Sequence, residues 1–160
     1  MSRIKYLVMD VDGTLTDGKI YMGNNGEVFK VFNVKDGYGI HEITCKLDIV
    51  PIIITGRNSN ILLNRCKEIG IEKVYQGVSD KLKILKKIVS DLSEVAYIGD
   101  DVNDLQCMLA VNAAGGLNGC PADAVHAIKK VSDYIASNNG GNGAVRDFIE
   151  WIIALDNSEQ

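Results

Sequence analysis

The chain has 160 residues, of which 46% are hydrophobic and 24% are charged, and its formal net charge is −4. This length and balance predict one globular domain over residues 1–160 and exclude long disordered segments. The acidic charge provides no basic surface for nucleic acid or for an anionic membrane, so neither is expected as a partner.

The four cysteines and two histidines show no spacing typical of a zinc site. Isolated cysteines inside apolar segments are typical of core residues in a reducing compartment. The apolar run near the start is too short for a signal peptide or a membrane span. We therefore expect a cytoplasmic protein.

Apolar runs in the first part of the chain predict a buried strand, a hairpin and a helix. The strand, residues 5–9, ends in Asp10 and Asp12. Two short β-prone runs around a Gly/Asn-rich turn predict a hairpin over about residues 18–33. Asp36 is predicted to cap the helix that follows.

A second buried strand, residues 49–54, ends at Thr55, and a helix follows it. A short strand at residues 73–75 then leads to another amphipathic helix. Ser79 is predicted to cap this helix, which carries Lys81 in its first turn.

A strand at residues 95–98 ends in Asp100 and Asp101. Downstream, the pattern predicts a helix at residues 105–109, a strand at 111–114, a loop at 115–120, a helix at 122–130, a strand near 134–135 and a last helix at 144–155. Residues 137–143, rich in glycine and asparagine, are predicted to form a mobile loop. This alternation predicts a three-layer, doubly wound α/β fold with a mostly parallel sheet.

Polar residues follow three of the predicted strands and begin one helix. They are Asp10, Asp12, Thr55, Lys81, Asp100 and Asp101. In a parallel sheet these positions share one edge, where carboxylates from separate strands suit Mg²⁺. A carboxylate can attack phosphorus while hydroxyl and lysine donors stabilise the transition state. The residues therefore predict phosphoryl chemistry.

The order of these residues resembles the four motifs of the haloacid dehalogenase superfamily of phosphohydrolases. The motifs are Asp10-x-Asp12-x-Thr14, Thr55-Gly56-Arg57, Lys81 and Gly99-Asp100-Asp101-x-x-Asp104. They span nearly the whole chain in the order that the superfamily has. The resemblance implies a Mg²⁺-dependent phosphohydrolase that acts through an aspartyl-phosphate.

The resemblance also implies a role for each residue. Asp10 would be the nucleophile, and Asp12 would be the general acid and then the base that activates water. Thr55 would bind the phosphoryl group, and Lys81 would pair with Asp10. The implied metal ligands are the side chains of Asp10 and Asp100 and the backbone carbonyl of Asp12. Asp101 and Asp104 would orient metal-bound water from nearby.

Three of these residues also have purely structural interpretations. Thr55 could cap the turn that follows it, and Lys81 could face solvent as most helical lysines do. Asp104 could only cap the helix after the acidic turn. The structure can distinguish these alternatives by burial and by hydrogen bonding.

Enzymes of this superfamily usually carry an inserted cap domain, but the intervals 14–55 and 55–81 are too short for one. The site would then be open in a monomer. The hairpin would expose an apolar surface made of Ile20, Met22, Val28 and Val31. We predict a homo-oligomer, by analogy a homotetramer, in which hairpins associate and a neighbouring subunit roofs each site.

This capless arrangement resembles the 3-deoxy-D-manno-octulosonate 8-phosphate phosphatases, which release phosphate from an eight-carbon 2-keto sugar acid. The similar segments are residues 12–18, 32–40, 54–57, 75–81 and 140–146. The resemblance implies a phosphorylated 2-keto sugar acid as substrate. Its anionic groups need cations, and the candidate binding residues are Asp12, Thr55, Gly56, Arg57, Arg65 and Lys81.

The sequence departs from this family at Thr14, where members more often carry valine, and at residues 115–120, where they usually have a shorter turn. Four alternatives therefore stay open. The substrate could be a nine-carbon sialic-acid-type 9-phosphate, or a broader range of phosphomonoesters. The chain could instead be a non-catalytic oligomerising domain that partners a sugar cytidylyltransferase, or a receiver-like binding module, although Asp12 favours turnover.

Overall fold

Eight strands form within residues 4–158, the part of the chain that the computed structural model describes. They are β1 Tyr6–Met9, β2 Tyr21–Gly23, β3 Gly26–Phe29, β4 Val50–Ile54, β5 Lys73–Tyr75, β6 Val95–Ile98, β7 Leu117–Cys120 and β8 Tyr134–Ile135. Six of them form one sheet in the order β5-β4-β1-β6-β7-β8, and every neighbouring pair is parallel. The strands β2 and β3 form a separate antiparallel hairpin.

Helices alternate with the strands of the sheet. They are α1 Val34–Tyr38, α2 Thr44–Lys46, α3 Asn60–Glu68, α4 Lys81–Ile88, α5 Leu105–Ala114, α6 His126–Lys129 and α7 Ala144–Ser158. A π-helical turn, Gly39–Ile43, joins α1 to α2. The predicted α/β fold with a mostly parallel sheet and a small hairpin is confirmed.

The central strands separate two apolar cores, because successive side chains of a strand point to opposite faces. On β1, Leu7 and Met9 belong to a core that includes Phe148 of α7. Val8 belongs to a second core that includes Met108 of α5. Burial on both faces explains why the first strand is a continuous apolar run rather than an alternating one.

The predicted strand at residues 111–114 is wrong, and so is the predicted loop at residues 115–120. Val111 is buried in the last turns of α5, and Gly115 ends that helix in the left-handed conformation, with φ of 86°. The strand β7 comes next. Its sequence has no apolar run, because its second residue is Asn118. This polar side chain can nevertheless be fully buried, since its amide donates to a backbone carbonyl of α5 at 2.7 Å.

Two predicted helix caps are also wrong. Asn33, and not Asp36, caps α1, because its side chain accepts a first-turn N–H at 2.8 Å. Asp80, and not Ser79, caps α4, with a corresponding distance of 3.0 Å. In both places several residues with capping side chains stand close together, and sequence alone does not decide between them.

Asp36 instead caps the last helix of the fold. Its Oδ1 accepts a hydrogen bond from the N–H of Arg146 at 2.9 Å, across 110 positions of sequence. Burial raises the pKa of Asp36, while the backbone N–H groups of Arg146, Gly143 and Val145 oppose that rise. A long-range carboxylate thus satisfies the N-terminus of α7.

The predicted hairpin is present, and the rings of Tyr21 and Phe29 stack on it with centroids 4.5 Å apart. All four side chains that were predicted to be exposed are exposed, and Phe29 joins them. The set is Ile20, Met22, Val28, Phe29 and Val31. The hairpin therefore presents an apolar surface to solvent.

Residues 137–143, predicted to be mobile from their composition, are held by hydrogen bonds to side chains of other segments. Oδ2 of Asp147 accepts hydrogen bonds from the backbone N–H groups of Ser137 and Asn138 at 3.1 and 3.2 Å. Oδ1 of Asp123 accepts one from Gly140 at 3.0 Å. Composition indicated mobility because it does not reveal these distant acceptors.

The cysteines are free thiols. Three of them, Cys66, Cys107 and Cys120, are buried as predicted, whereas Cys45 is exposed. Burial raises the pKa of Cys66 and of Cys107 to about 11. These two thiols stay protonated at neutral pH and behave as core residues.

Across residues 4–158, no helix is both long enough and apolar enough to cross a membrane. The predictions of one domain over residues 1–160 and of no signal peptide depend also on residues 1–3 and 159–160. Those residues lie outside the described part of the chain.

We expect Asp36→Ala to lower the free energy of unfolding by about 1–2 kcal/mol, because the N-terminus of α7 loses its capping carboxylate. Urea unfolding at pH 7 measures this change. The control is Asp91→Ala, which removes an exposed cap from the short 3₁₀ turn Leu92–Glu94 and should cost less. Equal losses for the two variants would contradict the role of Asp36.

Candidate active site

The polar residues that follow the central strands meet at the carboxyl edge of the sheet. Met9 of β1 pairs with Ile53 of β4 on one side and with Ile98 of β6 on the other. The residues beyond these strands therefore emerge side by side. They include Asp10, Asp12, Thr55, Asp100 and Asp101.

Lys81 points into the protein from the first turn of α4, so its solvent-facing alternative is wrong. Its Nζ lies 2.9 Å from Oδ1 of Asp10 and 2.8 Å from Oδ1 of Asp104. Lys81 is 4% exposed, and Asp104 is fully buried. Burial lowers the pKa of Lys81, but the two carboxylates outweigh it and raise the pKa overall. The ammonium group therefore stays charged.

Asp104 does not serve as a helix cap, because among the described residues its side chain makes no capping hydrogen bond to α5. Its Oδ1 also accepts the hydroxyl of Tyr97 at 2.7 Å, and its Oδ2 accepts the N–H of Asp100 at 3.2 Å. Burial raises the pKa of Tyr97 well above its ordinary value, so the hydroxyl keeps the proton that it donates. Sequence reasoning missed Tyr97, whose only signal was a hydroxyl inside an apolar strand.

Asp100 packs directly against the turn that follows β1. The hydroxyl of Thr14 donates to Oδ1 of Asp100 at 3.0 Å, and a Cβ atom on Gly13 would overlap the same carboxylate. Burial raises the pKa of Asp100 to about 6, although hydrogen bonds with Asp10 and Thr14 oppose the rise. Thr14, a position of the first motif at which this chain departs from the family, thus orients a predicted metal ligand.

The carboxylate cluster fits a divalent cation. Asp10, Asp100 and Asp104 each offer an oxygen, and these oxygens lie within 4.8 Å of one another. Three ionised carboxylates with Lys81 as their ammonium partner would leave two excess negative charges (three minus one). Burial, followed by the charges of Asp104 and Asp100, raises the pKa of Asp10 well above its ordinary value. Both oxygens of Asp104 already accept hydrogen bonds, Oδ1 from Lys81 and Tyr97 and Oδ2 from the N–H of Asp100, so the carboxylates of Asp10 and Asp100 remain to coordinate the ion.

A cavity of about 290 Å³ adjoins this cluster and could admit a phosphorylated small molecule. Its lining residues are Asp10, Asp12, Gly18, Thr55, Gly56, Arg57, Asp100, Asp101 and Asn103. The structure thus brings most of the predicted site residues together. Gly18 and Asn103 were not predicted as site residues, although Gly18 ends the similar segment 12–18.

The hairpin of the same chain reaches this cavity through two charged residues that the sequence reasoning missed. Nζ of Lys30 lies 2.7 Å from Oδ1 of Asp12 and 3.1 Å from Oε2 of Glu27. Nε of Arg57 lies 3.9 Å from Oδ2 of Asp12, and Nη2 of Arg57 lies 3.4 Å from Oε2 of Glu27. The available signal was a single lysine inside the apolar run 28–32, which marks a charge that needs a partner.

Arg65 lies away from this cavity. Its Nη1 donates to Oε2 of Glu68 at 2.8 Å, and its guanidinium carbon lies 5.8 Å from the ring centroid of Phe32. Its side chain packs against Gly37 of α1. Of the two arginines predicted to bind substrate, the structure brings only Arg57 to this cavity.

No family model matches the chain. The chain is, however, 44% identical over 156 residues to the 3-deoxy-D-manno-octulosonate 8-phosphate phosphatase KdsC of Escherichia coli strain K12. The alignment covers 94% of this chain and 79% of that protein. The chain belongs to the 3-deoxy-D-manno-octulosonate 8-phosphate phosphatase family. The resemblance predicted from the motifs is confirmed.

Solved structures of 3-deoxy-D-manno-octulosonate 8-phosphate phosphatases share this fold. The Moraxella catarrhalis structure, in complex with magnesium ion, phosphate ion and KDO, has a TM-score of 0.86 and 39% identity over 99% of this chain and 95% of that one. The cobalt-bound Haemophilus influenzae structure has a TM-score of 0.87 and 35% identity over 97% and 90% of the two chains. Both structures of the family hold a divalent metal.

In this octulosonate 8-phosphate phosphatase family member, we expect Asp100 to make the metal-free protein less stable as pH rises from about 4 to about 6. The carboxyl has a folded pKa of about 6 against an ordinary value of 3.8, so the folded state binds more protons across that window. The protonated Asp100 carboxyl stabilises the folded state at low pH, and this stability is lost as the carboxyl ionises. The full loss is about 3 kcal/mol, because each pKa unit corresponds to about 1.36 kcal/mol.

Urea unfolding in EDTA at pH 4.5 and pH 7 measures this loss, with Asp100→Asn as the comparison. The variant cannot ionise at this position, so its stability should fall less between the two pH values. An identical fall in both proteins would contradict the prediction.

Proposed function

We propose that this chain is a Mg²⁺-dependent phosphomonoesterase that hydrolyses 3-deoxy-D-manno-octulosonate 8-phosphate through an aspartyl-phosphate. The observation that carries the proposal is its 44% identity to a named octulosonate 8-phosphate phosphatase. The buried pair of Asp10 and Lys81 at the carboxyl edge of the sheet supports the same chemistry. We assign a role to each residue from the contacts that it makes.

Asp10 is the nucleophile in this proposal. Its Oδ1 is held by Lys81 at 2.9 Å, and it lines the cavity where a phosphate ester would enter. An Asp10 oxygen forms a bond to phosphorus while the bond from phosphorus to the sugar oxygen breaks. The charge of Lys81 balances the phosphoryl group as it transfers, and burial of the Asp10–Lys81 pair strengthens this effect.

Asp12 handles the protons. In the first step its carboxyl donates a proton to the leaving sugar oxygen, and in the second its carboxylate takes a proton from water. The water oxygen then bonds to phosphorus, the bond to Asp10 breaks, and phosphate leaves. Lys30 holds the Asp12 side chain at the cavity through their 2.7 Å contact.

Mg²⁺ would be held by the carboxylates of Asp10 and Asp100 and, by family resemblance, by the backbone carbonyl of Asp12. When bound, it supplies positive charge that stabilises the phosphoryl oxygens. Asp101 would orient metal-bound water from the rim, where it lines the cavity. Asp104 acts through Lys81 and through the N–H of Asp100 rather than on the ion itself.

The substrate-binding groups follow from the cavity lining. Thr55 and the backbone of Gly56 donate to the phosphoryl group, and Arg57 pairs with an anionic group of the substrate. Arg57 is the arginine that we propose for this role, because its side chain is about half exposed at the cavity. Arg65 packs on Phe32 beneath the hairpin instead.

We also propose that the chain assembles as a homotetramer through its hairpins. The apolar surface of the hairpin, with Met22 64% exposed and Val28 58% exposed, is typical of an interaction site. Assembly would bury this surface and place a neighbouring subunit near the cavity. The stoichiometry follows the analogy with the capless phosphatases that the motifs resemble.

The domain organisation and the cellular compartment complete the proposal. Residues 1–160 form one domain, since a single parallel sheet organises the described residues. The protein resides in the cytoplasm, because free thiols such as those of Cys66 and Cys107 suit a reducing compartment.

The activity is tested by phosphate release from three substrates, each with Mg²⁺ and with EDTA. They are octulosonate 8-phosphate, a neuraminate 9-phosphate and p-nitrophenyl phosphate. We expect a strong, EDTA-sensitive preference for the eight-carbon sugar acid. Preference for the nine-carbon acid would change the substrate, and no release from any of them would remove the phosphatase assignment.

The nucleophile is tested in the same assay by Asp10→Asn, which should lower kcat about 1,000-fold or more while the fold is kept. The control is Asp48→Asn, because Asp48 is exposed before β4, at the opposite edge of the sheet. Substantial Mg²⁺-dependent activity in Asp10→Asn would eliminate Asp10 as the nucleophile.

For assembly, we expect the double variant Met22→Lys and Val28→Lys to elute as a monomer with reduced kcat/KM, because charges replace the apolar hairpin surface. Light scattering coupled to size exclusion measures the mass. Leu109→Lys is the control, since Leu109 is comparably exposed on α5. An unchanged mass in the hairpin variant would refute assembly through this surface.

A further inference from the structure

Residues 137–143, here called the glycine loop, pack directly beneath the turn that carries Asp12. This turn, residues 11–18, is here called the catalytic turn. The N–H of Gly141 donates to the carbonyl oxygen of Thr14 at 3.1 Å. A Cβ atom on Gly140 would overlap the backbone of Gly13, and one on Gly141 would lie 2.5 Å from the nitrogen of Asp17. The contact is backbone against backbone and leaves no room for a side chain.

The catalytic turn is a tight unit that would transmit a displacement. The N–H groups of Thr14 and Thr16 donate to the carbonyl oxygen of Val11, at 3.1 Å each. The hydroxyl oxygen of Thr16 accepts the N–H groups of Gly13 and Gly18, both at 3.2 Å. A shift at Gly13 would therefore move its neighbours as well.

Two catalytic groups depend on the position of this turn. Asp12 belongs to it, and Thr14 connects it to Asp100 through the 3.0 Å hydrogen bond from its hydroxyl. Gly13 also lies in contact range of the Asp100 carboxylate, as the overlap of a Cβ atom shows. The glycine loop thus lies behind both the acid and a proposed metal ligand.

The glycine loop is itself held by side chains from two neighbouring segments. Asp123, in the loop before α6, accepts the N–H of Gly140 at 3.0 Å. Asp147, in the first turn of α7, accepts the N–H groups of Ser137 and Asn138 and also the side-chain amide of Asn138, at 3.1 to 3.2 Å. The support is therefore fixed to the fold and does not rest on the catalytic turn alone.

We propose that Gly140 and Gly141 form a fixed spacer that positions the catalytic turn, and that Asp123 is a positioning residue for this spacer. The inference rests on the proposed function, which makes Asp12 and Asp100 the groups being positioned. It assigns the glycine loop a supporting role and not that of a lid, since the loop's contacts are with the backbone of the turn.

The first test uses Asp123, which is exposed and should tolerate substitution. Asp123→Ala removes the acceptor for Gly140, whereas Asp123→Asn keeps an acceptor oxygen at the same place. We expect Asp123→Ala to lower kcat about 10-fold with little change in KM, and Asp123→Asn to restore most of the loss. If Asp123 only stabilised the fold, Asp123→Asn would not have a higher kcat than Asp123→Ala when the two variants have equal melting temperatures.

The second test uses Gly140→Ala, where the added methyl group must displace Gly13. We expect kcat to fall about 10-fold to 100-fold and the Kd for Mg²⁺, measured by calorimetry, to rise several-fold. The control is Gly115→Ala, because Gly115 has a positive φ but nothing within 4 Å of the added atom. That variant should keep the wild-type kcat and Kd even if its melting temperature falls.

Wild-type kcat and Mg²⁺ affinity in a folded Gly140→Ala variant would overturn the proposal. So would equal kcat values for the two Asp123 variants. If Gly140→Ala does not fold, the Asp123 pair decides. Calorimetry keeps this test separate from the proposed function, because a wild-type protein that binds Mg²⁺ but releases no phosphate would fail only the latter.

Discussion

The carboxylate cluster at the edge of the sheet depends on the ion pairs that the buried ammonium group of Lys81 makes with Asp10 and Asp104. This ammonium group neutralises part of a cluster that could not otherwise remain charged inside the protein. By contacting Asp10 after β1 and Asp104 before α5, it ties α4 to two other elements at once. The same contacts leave an excess of negative charge, which a divalent cation is suited to offset. Helix placement and metal affinity thus share one electrostatic origin.

The hairpin combines two properties that are usually found in separate elements. One side exposes apolar residues such as Met22, while Lys30 and Glu27 reach the cavity of the same chain. An event that moves the hairpin would therefore also move the partner of Asp12. The proposed assembly surface and the contact to Asp12 thus belong to one short antiparallel element.

Much of the site could be predicted because strand ends in a parallel sheet are local features of sequence. Asp10, Thr55 and Asp100 each follow an apolar run, so their meeting at one edge follows from topology. The contacts of Lys30, Tyr97 and Arg65 could not be predicted in this way. They depend on how elements distant in sequence pack, and a single lysine or tyrosine has no periodic signal.

The fold shows the same division between local and distant information. The strand β7 was missed because Asn118 is satisfied by a neighbouring helix rather than by solvent, so its sequence looks like a loop. Asp36 was assigned to the nearest helix, although its partner is 110 positions away. Local patterns identify which residues are able to cap or to pair, but the fold decides with which element they do so.

The position of the glycine loop late in the chain has a consequence for synthesis. A nascent chain that has emerged through α6 already contains every carboxylate of the site, yet it lacks Gly140 and Gly141 beneath the catalytic turn and the α7 helix that Asp36 caps. These long-range contacts form late, since closing large loops is slow. Until residues 140–141 and the first turn of α7 have emerged, the turn that carries Asp12 therefore has no backbone beneath it.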